Sequence, residues 1–287
     1  MVKVENDWKA NIKVYTDDAA IRWKASQPKD RDKIRSENSE DVLTWQVFRT
    51  FAATGHLDDW AKDALGIVDN FVPFYWQRLH DFGKIDADIA AALREIEPYH
   101  EKHGLQHTET DLILRGKRHL VMCEMKLGYK RRLITGWQQA KKSPIVNDYQ
   151  PYATLFVVDK ENWKENMERF AQLYKNLILG NVLCKSWYIA PVEDPVAAGP
   201  DNEKPDVEQS TLTLHLLAVA NGATKYPGPN GTFHTYELEF GEFCKSCSAE
   251  KSQLHFAKWQ NIGAWVKSQQ NDNLSFVRSR LLEHPLL

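Results

Sequence analysis

Two neighbouring stretches decide the fold: residues 109–114 read ETDLIL, and residues 119–127 read HLVMCEMKL. Both are rich in apolar residues, and the basic turn RGKR at 115–118 separates them, which is typical of two antiparallel strands. Because residues i and i+2 of a strand share a face, Glu124 and Lys126 point to the same side. Charges on so apolar a strand are costly unless they are paired or bind a metal. The pattern therefore predicts a buried sheet that carries a charged site.

An aspartate begins the first of these strands. Antiparallel pairing can bring Asp111 beside Glu124. Two carboxylates and a backbone carbonyl are hard oxygen ligands, which suit Mg²⁺. A lysine beside them can orient or deprotonate the attacking water and can stabilise charge that develops on a phosphate. We therefore expect a magnesium site with Lys126 next to it.

The arrangement Asp111-(x12)-Glu124-x-Lys126 resembles the PD-(D/E)XK nuclease superfamily, which has the restriction-endonuclease-like fold. The resemblance covers about residues 36–192, and Thr110 stands where the family has proline. It implies a core of αβββαβ type, with Asp111, Glu124 and the carbonyl of Met125 as metal ligands. It also implies that Lys126 is the catalytic lysine.

The same resemblance implies an acidic residue in the helix before the strands. Glu40 lies on one helical stripe with Leu43, Val47 and Phe51 and so faces the core, whereas Asp41 is expected to be rotated away. Glu40 is therefore assigned to the site. Many members carry a glutamine in the helix after the lysine, and Gln138 and Gln139 are both candidates.

Positive charge is concentrated just after the acidic motif. Residues 115–142 hold nine Lys or Arg residues and a single acidic residue, whereas the whole chain has a net charge of −2. Such a segment is suited to the phosphate backbone of DNA. The predicted DNA contacts are Arg115, Lys117, Arg118, Lys130, Arg131, Arg132, Gln138, Gln139, Lys141 and Lys142, with Trp137 as a candidate for stacking on a base.

The resemblance implies an endonuclease that hydrolyses DNA with Mg²⁺, or with Mn²⁺ in its place, and leaves 5′-phosphate and 3′-hydroxyl ends. Two alternatives stay open: a non-catalytic nucleic-acid-binding or complex-forming member of the same fold, and a zinc-stabilised binding module. The zinc module would use Cys244 and Cys247, with His234 and His255 nearby. A third group, His100, His103 and His107, is expected at an exposed helix end.

Composition excludes several classes of protein. The chain has 287 residues, of which 43% are apolar and 26% charged, so it is neither disordered nor collagen-like. No apolar run approaches the roughly 18 residues of a membrane helix, and the first residues mix charges. We expect a cytoplasmic protein whose partner is DNA and not a membrane, with the choice between monomer and homodimer open.

We expect one mixed α/β domain over residues 1–287, with a restriction-endonuclease-like core at about 36–192. Residues 1–35 would form an N-terminal extension, and residues 193–287 a C-terminal β/α elaboration. Beside the two strands above, the pattern predicts a hairpin within 11–24, strands at 186–192, 211–220 and 235–240, and helices at 36–51, 58–81, 86–102, from 161 onwards and at 256–269. Residues 152–159 fit either a strand or a helix.

Overall fold

The computed structural model describes residues 12–27, 34, 36, 39–103, 107, 109–127, 145–187, 212–223, 225–227, 233–250 and 253–284. The helices are α1 (Ala19–Ser26), α2 (Glu40–Ala53), α3 (Leu57–Leu65), α4 (Ala87–Ile96), α5 (Pro98–His103), α6 (Ile145–Phe156), α7 (Trp163–Arg169), α8 (Ala171–Ser186), α9 (Tyr236–Ser246), α10 (Trp259–Ser268) and α11 (Ser275–Leu282). The strands are β1 (Val72–Tyr75), β2 (Leu112–Arg115), β3 (His119–Lys126), β4 (Thr213–Ala220), β5 (Lys225–Pro227), β6 (Phe233–Thr235) and β7 (Leu254–Lys258).

A five-stranded mixed sheet in the order β1-β2-β3-β4-β7 lies at the centre of the described residues. The first three strands are antiparallel to one another, while β4 and β7 run parallel to β3. The mixed α/β class is therefore confirmed. Strands β4 and β7 come from the segment after residue 192, which we expected to be an elaboration outside the core.

Strand β3 is buried on both faces, because each face of the sheet is covered by its own layer of helices. Leu120 and Met122 pack on the side of α4, α6, α7, α8 and α9. Val121, Cys123 and Met125 pack on the side of α1, α2, α3, α10 and α11. The alternation follows from the period of two of a strand, and it places charged residues near the end of β3 between two apolar layers.

Helix α8 lies unusually close to the sheet. A Cβ atom at Gly180 would be only 2.4 Å from Leu214 Cδ1 and 2.8 Å from Met122 Cγ. A side chain there would require Leu214 and Met122 to shift, or the helix to move away from β3 and β4. This close approach brings the polar residues of α8 within reach of the carboxyl end of β3.

The hairpin that we expect within residues 11–24 is wrong, because Ala19–Ser26 forms helix α1. Ala20, Ile21, Lys24 and Ala25 are buried, a spacing that matches the 3.6-residue period of a helix. The hairpin was expected because the segment is rich in residues of high β propensity. Packing of the buried residues of α1 overrides this local preference.

Three further expectations, at residues 58–81, 235–240 and 256–269, are wrong in part. Residues 58–81 are not one helix, since α3 ends at Leu65 and Val72–Tyr75 forms the edge strand β1, where Pro73 is tolerated. The expected strand at 235–240 is wrong beyond Thr235, which ends β6, because residues 236–240 start α9. Thr235 caps this helix, since its hydroxyl accepts from Leu238 N at 3.3 Å.

The expected helix at 256–269 begins only at Trp259, because Leu254–Lys258 is strand β7. The ambiguous segment 152–159 is helical up to Phe156, as part of α6. Helix α2 confirms the expected helix at 36–51, and β4 confirms the expected strand at 211–220. The expected strand at 186–192 lies outside the described residues from 188 onwards.

Candidate active site

The carboxyl end of β3 carries the predicted Glu–Lys pair. The Lys126 ammonium forms an ion pair with Glu124 Oε1 and lies 2.8 Å from the carbonyl oxygen of Met125. Glu124 is 2% exposed and Lys126 is 5% exposed. The shared face predicted from the period of two therefore holds a buried pair of opposite charges.

Asp111 precedes β2 by one residue and lies beside this pair. Strands β2 and β3 pair Leu112 with Cys123, and continuing this register by one residue places Asp111 opposite Glu124. Asp111 Oδ2 accepts a hydrogen bond from Met125 N at 2.9 Å. The two carboxylates thus approach each other across the hairpin, as the sequence predicts.

Glu40 reaches the same place from the first turn of α2. Its Oε2 accepts a hydrogen bond from Leu127 N at 2.9 Å, and its Oε1 lies 3.4 Å from Lys126 Nζ. The helix begins there because Ser39 caps it, with the Ser39 hydroxyl accepting from Val42 N at 3.4 Å. The structure brings together all four residues to which the sequence assigns catalysis: Asp111, Glu124, Lys126 and Glu40.

Burial dominates the electrostatics of these groups. Removal from water raises the pKa of Asp111 and of Glu124 to about 7 in each case, and it raises the pKa of Glu40 as well. Burial alone would lower the pKa of the Lys126 ammonium, but the carboxylates around it raise that pKa well above its usual range. The site is a crowded group of acids held around one cation.

Sequence reasoning missed Asn176, which is fully buried on α8. Asn176 Nδ2 donates to Glu124 Oε2 at 3.2 Å, and Asn176 Oδ1 accepts from the Thr110 hydroxyl at 2.9 Å. One turn earlier, Gln172 Nε2 donates to the carbonyl oxygen of Glu109 at 3.1 Å. A polar residue among the apolar positions of a helix that is buried over most of its surface was the signal that could have found Asn176.

A second group of charges adjoins the site and also escaped prediction. Lys24 of α1 is buried, forms an ion pair with Glu109 and lies 3.8 Å from Asp41 Oδ1. Asp41 is therefore not turned away from the interior as we expected, since it also accepts a hydrogen bond from Trp76 Nε1 at 3.0 Å. The mistaken hairpin at residues 11–24 concealed the contribution of Lys24.

The turn after β1 supports Asp111 from the other side. Trp76 and Gln77 have φ angles of 49° and 68°, in the left-handed region that few side chains adopt. Trp76 N donates to the carbonyl oxygen of Asp111 at 3.2 Å. This strained turn sits directly against the charged group, as is common near functional sites.

The three predicted DNA contacts that the structure describes lie far from the acids. Arg115 ends β2, Lys117 and Arg118 belong to the turn before β3, and Lys126 is at the other end of β3, roughly 23 Å away along the strand. Arg115 stacks on the Trp187 ring at 4.4 Å, and Arg118 Nη2 donates to Val68 O. These three are not brought together with the site. The remaining predicted contacts lie outside the described residues, as does Trp137. They are Lys130, Arg131, Arg132, Gln138, Gln139, Lys141 and Lys142.

The histidine and cysteine groups differ from expectation. Within the described ranges, Glu97, His100 and His107 are the one group of three whose ligand atoms all lie within 4.8 Å of one another. The expected exposed helix end is wrong for His100, which is buried, and correct for His103. Cys244 and Cys247 do not form such a group with His234 or His255.

Comparison of the chain with family models, with curated proteins and with solved structures gave no match. The resemblance to the nuclease superfamily therefore rests on the residues named above. Among the helices that the structure describes, none is long and apolar enough to cross a membrane.

Proposed function

We propose that the chain is a Mg²⁺-dependent endonuclease that hydrolyses phosphodiester bonds in DNA. The observation that carries the proposal is the meeting of Asp111, Glu124 and Glu40 with Lys126 at the carboxyl end of β3. The alternative explanation, an ordinary salt bridge on a solvated hairpin, would need only one acid and one base at the surface. Glu124 and Lys126 are buried and Asp111 and Glu40 are only partly exposed, so three acids around one lysine are costly for stability and favour a functional reason.

Charge balance favours a divalent cation in this site. When Asp111, Glu124 and Glu40 are all ionised, the Lys126 ammonium balances only one of their three negative charges, beside the buried Glu124. A dication would balance the other two, and it would oppose the effect of burial, which raises the pKa of Asp111 and of Glu124 to about 7.

The donor types fit Mg²⁺, since carboxylate oxygens of Asp111 and Glu124 and the carbonyl oxygen of Met125 are hard ligands. Among the described residues, the carboxylates of Asp111, Glu124 and Glu40 do not all lie within 4.8 Å of one another, so Glu40 is placed beside the proposed ion and is not counted as its ligand. Mn²⁺ accepts the same ligands. The Lys126 ammonium touches Glu124, Met125 and Glu40, so it stands where a cation is attracted and must turn aside when Mg²⁺ binds.

When bound, the cation supplies Lewis-acid activation of water and of the scissile phosphate. Lys126 would then orient the attacking water and donate hydrogen bonds to the charge that develops on the phosphate. Asn176 holds the Glu124 carboxylate, and Leu127 N holds that of Glu40, so the acids are fixed before substrate binds.

The order of elements also supports the superfamily resemblance. Helix α2, the antiparallel strands β1, β2 and β3, helix α8 and the parallel strand β4 follow one another as α-β-β-β-α-β, with the other helices as insertions. DNA binding next to the site is assigned to the basic residues 130–142, which follow Lys126 in the sequence.

Nicking of supercoiled plasmid DNA tests the proposal. We expect wild-type protein to convert the plasmid to open-circular and linear forms with Mg²⁺ or Mn²⁺ but not with EDTA. Glu124→Gln should abolish this activity together with metal binding, whereas Glu161→Gln, a change at an exposed glutamate of the loop before α7, should not. Absence of cleavage by the wild type with either metal would favour the non-catalytic alternative.

A further inference from the structure

A second charged cluster lies on the opposite side of β2 from α2, where α5 meets α6. Glu97 is fully buried, and the side chain of His100 is only 9% exposed. His107 Nδ1 lies 2.9 Å from Glu97 Oε2, and His100 Nδ1 lies 3.9 Å from the same oxygen. None of these three residues has a part in the function proposed above.

We propose that this cluster is a zinc site, in which one Zn²⁺ binds to Glu97 Oε2, His100 Nδ1 and His107 Nδ1. Imidazole nitrogen and carboxylate oxygen form the ligand set of many zinc proteins, with bonds of about 2.0–2.2 Å. Two such ligands on a tetrahedral ion lie about 3.3 Å apart, and the observed separations of 2.9 and 3.9 Å bracket this value. With three protein ligands, the fourth position goes to water.

An unsatisfied atom points to a ligand that the protein side chains do not supply. His100 Nδ1 is buried and makes no hydrogen bond within the part of the chain that the structure describes. Since a buried polar atom without a partner costs about 1–3 kcal/mol, such atoms are rare unless a water or an ion satisfies them. His100 Nδ1 faces Glu97 Oε2, so an ion bound between them would satisfy it.

The surrounding groups orient the proposed ligand atoms. The Tyr149 hydroxyl donates to Glu97 Oε1, which leaves Oε2 to face the histidines. Glu101 Oε2 lies 3.4 Å from His107 Nε2 and can accept a hydrogen bond from its N–H group. The ring nitrogen Nδ1 then carries no proton and can bind the metal. A carboxylate that holds the second nitrogen of a histidine ligand is typical of zinc sites.

Lys175 opposes the binding of a cation, because its charge acts on both Glu97 and His100. Its ammonium lies 5.0 Å from the centre of the Tyr149 ring. Removal of this charge should therefore strengthen zinc binding.

The experiment measures zinc content after equilibrium dialysis and follows Co²⁺ titration by its visible d–d absorption. Asp111→Asn/Glu124→Gln serves as the background, so that ions bound at the proposed magnesium site do not contribute. We expect one equivalent of zinc and a tetrahedral Co²⁺ spectrum in this background. His100→Gln and His107→Gln should each weaken binding at least about tenfold, and Lys175→Met should strengthen it.

His103→Gln is the matched control, because His103 lies on the same helix, is exposed and stacks on Tyr99 with ring centres 4.1 Å apart. Circular dichroism of each variant establishes that it is folded. The Co²⁺ spectrum of the background protein, stripped by chelator and then titrated with Co²⁺, tests the site independently of those variants. Zinc content near zero in the background protein after equilibrium dialysis against zinc, or equal loss of zinc with His103→Gln and His100→Gln, would overturn the proposal.

Discussion

Asn176 on helix α8 donates a hydrogen bond to Glu124 on strand β3, with a distance of 3.2 Å between Nδ2 and Oε2. The amide oxygen of the same side chain accepts from the Thr110 hydroxyl at 2.9 Å. One buried amide thus joins the residue before Asp111 to the metal-ligand candidate on the neighbouring strand. It fixes the spacing of the two acids without contributing a charge.

Asn176→Ala should lower the free energy of unfolding by about 1–3 kcal/mol, because it leaves the Thr110 hydroxyl and Glu124 Oε2 without this partner. Urea unfolding measures the change. Asn166→Ala, at a partly exposed position on α7, is the control and should change the free energy by less than about 0.5 kcal/mol. Equal effects of the two substitutions would show that Asn176 does not hold the site together.

Asp69 organises the turn between β2 and β3. Its carboxylate accepts hydrogen bonds from the backbone amides of Asn70, Lys117, Arg118 and His119, at distances of 2.7–3.0 Å. Burial would raise the pKa of Asp69, but these hydrogen bonds outweigh that effect and lower the pKa below its usual value. A carboxyl group whose pKa is lower in the folded state stabilises the protein above about pH 4, and the stabilisation is lost as the pH falls further.

Asp69→Ala should therefore cost about 1–2 kcal/mol at pH 7, and the difference from wild type should shrink below about pH 4. Thermal unfolding across this pH range measures it. Asp81→Ala, a change at an exposed aspartate, provides the control. A difference between wild type and Asp69→Ala that does not depend on pH would contradict this explanation.

Three histidines form a hydrogen-bonded row across the sheet. His215 Nε2 lies 3.0 Å from His119 Nδ1, and His215 Nδ1 lies 3.1 Å from His255 Nε2. Burial and, to a smaller extent, the two neighbouring imidazoles together lower the pKa of His215 to about 4. Burial also lowers the pKa of His119 at the end of the row, where Asp69 raises this pKa and Arg118 lowers it.

Because the unfolded chain binds a proton at His215 near pH 6.5 and the folded chain does so only near pH 4, stability should fall as the pH drops between these values. One proton corresponds to a slope of about 1.4 kcal/mol per pH unit. In His215→Leu the slope should be shallower by up to this amount, whereas His103→Gln should keep the wild-type slope. Parallel pH profiles of wild type and His215→Leu, measured by urea unfolding, would exclude this contribution.

The basic segment after β3 should bind phosphates without reading bases. Arg131→Glu together with Arg132→Glu should weaken DNA binding similarly for all sequences. The slope of log K against log salt should shrink by about 1–2 units, since each lost contact releases about 0.9 fewer counterions. Lys117→Glu, at the far end of β3 from the acids, is the comparison and should change the slope less. An unchanged slope for the Arg131 and Arg132 variant would mean that the segment does not touch DNA.

Local patterns predicted the acids of the site because their positions depend on short-range geometry. The period of two placed Glu124 and Lys126 on one face, and the helical period turned Glu40 inward. The partner of Glu124 on α8 is 52 residues away in sequence, so no periodicity connects the two residues. Asn176 reaches Glu124 because α8 packs on β3 and β4, closely at Gly180.

Errors in secondary structure also hid parts of the site. Residues 11–24 have strand-like composition, so Lys24 was not expected beside Asp41 and Glu109. His100 was expected to be exposed because its sequence neighbours are charged, yet α5 packs it against α6. In both cases burial depends on which distant element covers the segment, and composition carries no information on that choice.

We propose that Lys126 acts on water and phosphate but is not itself a metal ligand. Lys126→Ala should keep Mn²⁺ binding in calorimetric titration, or tighten it, because the ammonium no longer competes for the oxygens of Glu124 and Met125. Melting temperature with Mg²⁺ present should change little. Lys164→Ala, at an exposed lysine of α7, is the control and should match wild type in every respect.

The most direct test is the rate of Mg²⁺-dependent nicking of supercoiled DNA by Lys126→Ala, measured beside wild type and Lys164→Ala. Loss of an acid–base and charge-stabilising group predicts a rate at least about 100-fold below wild type, with metal binding retained. Nicking by Lys126→Ala at the wild-type rate would contradict the assignment of this lysine.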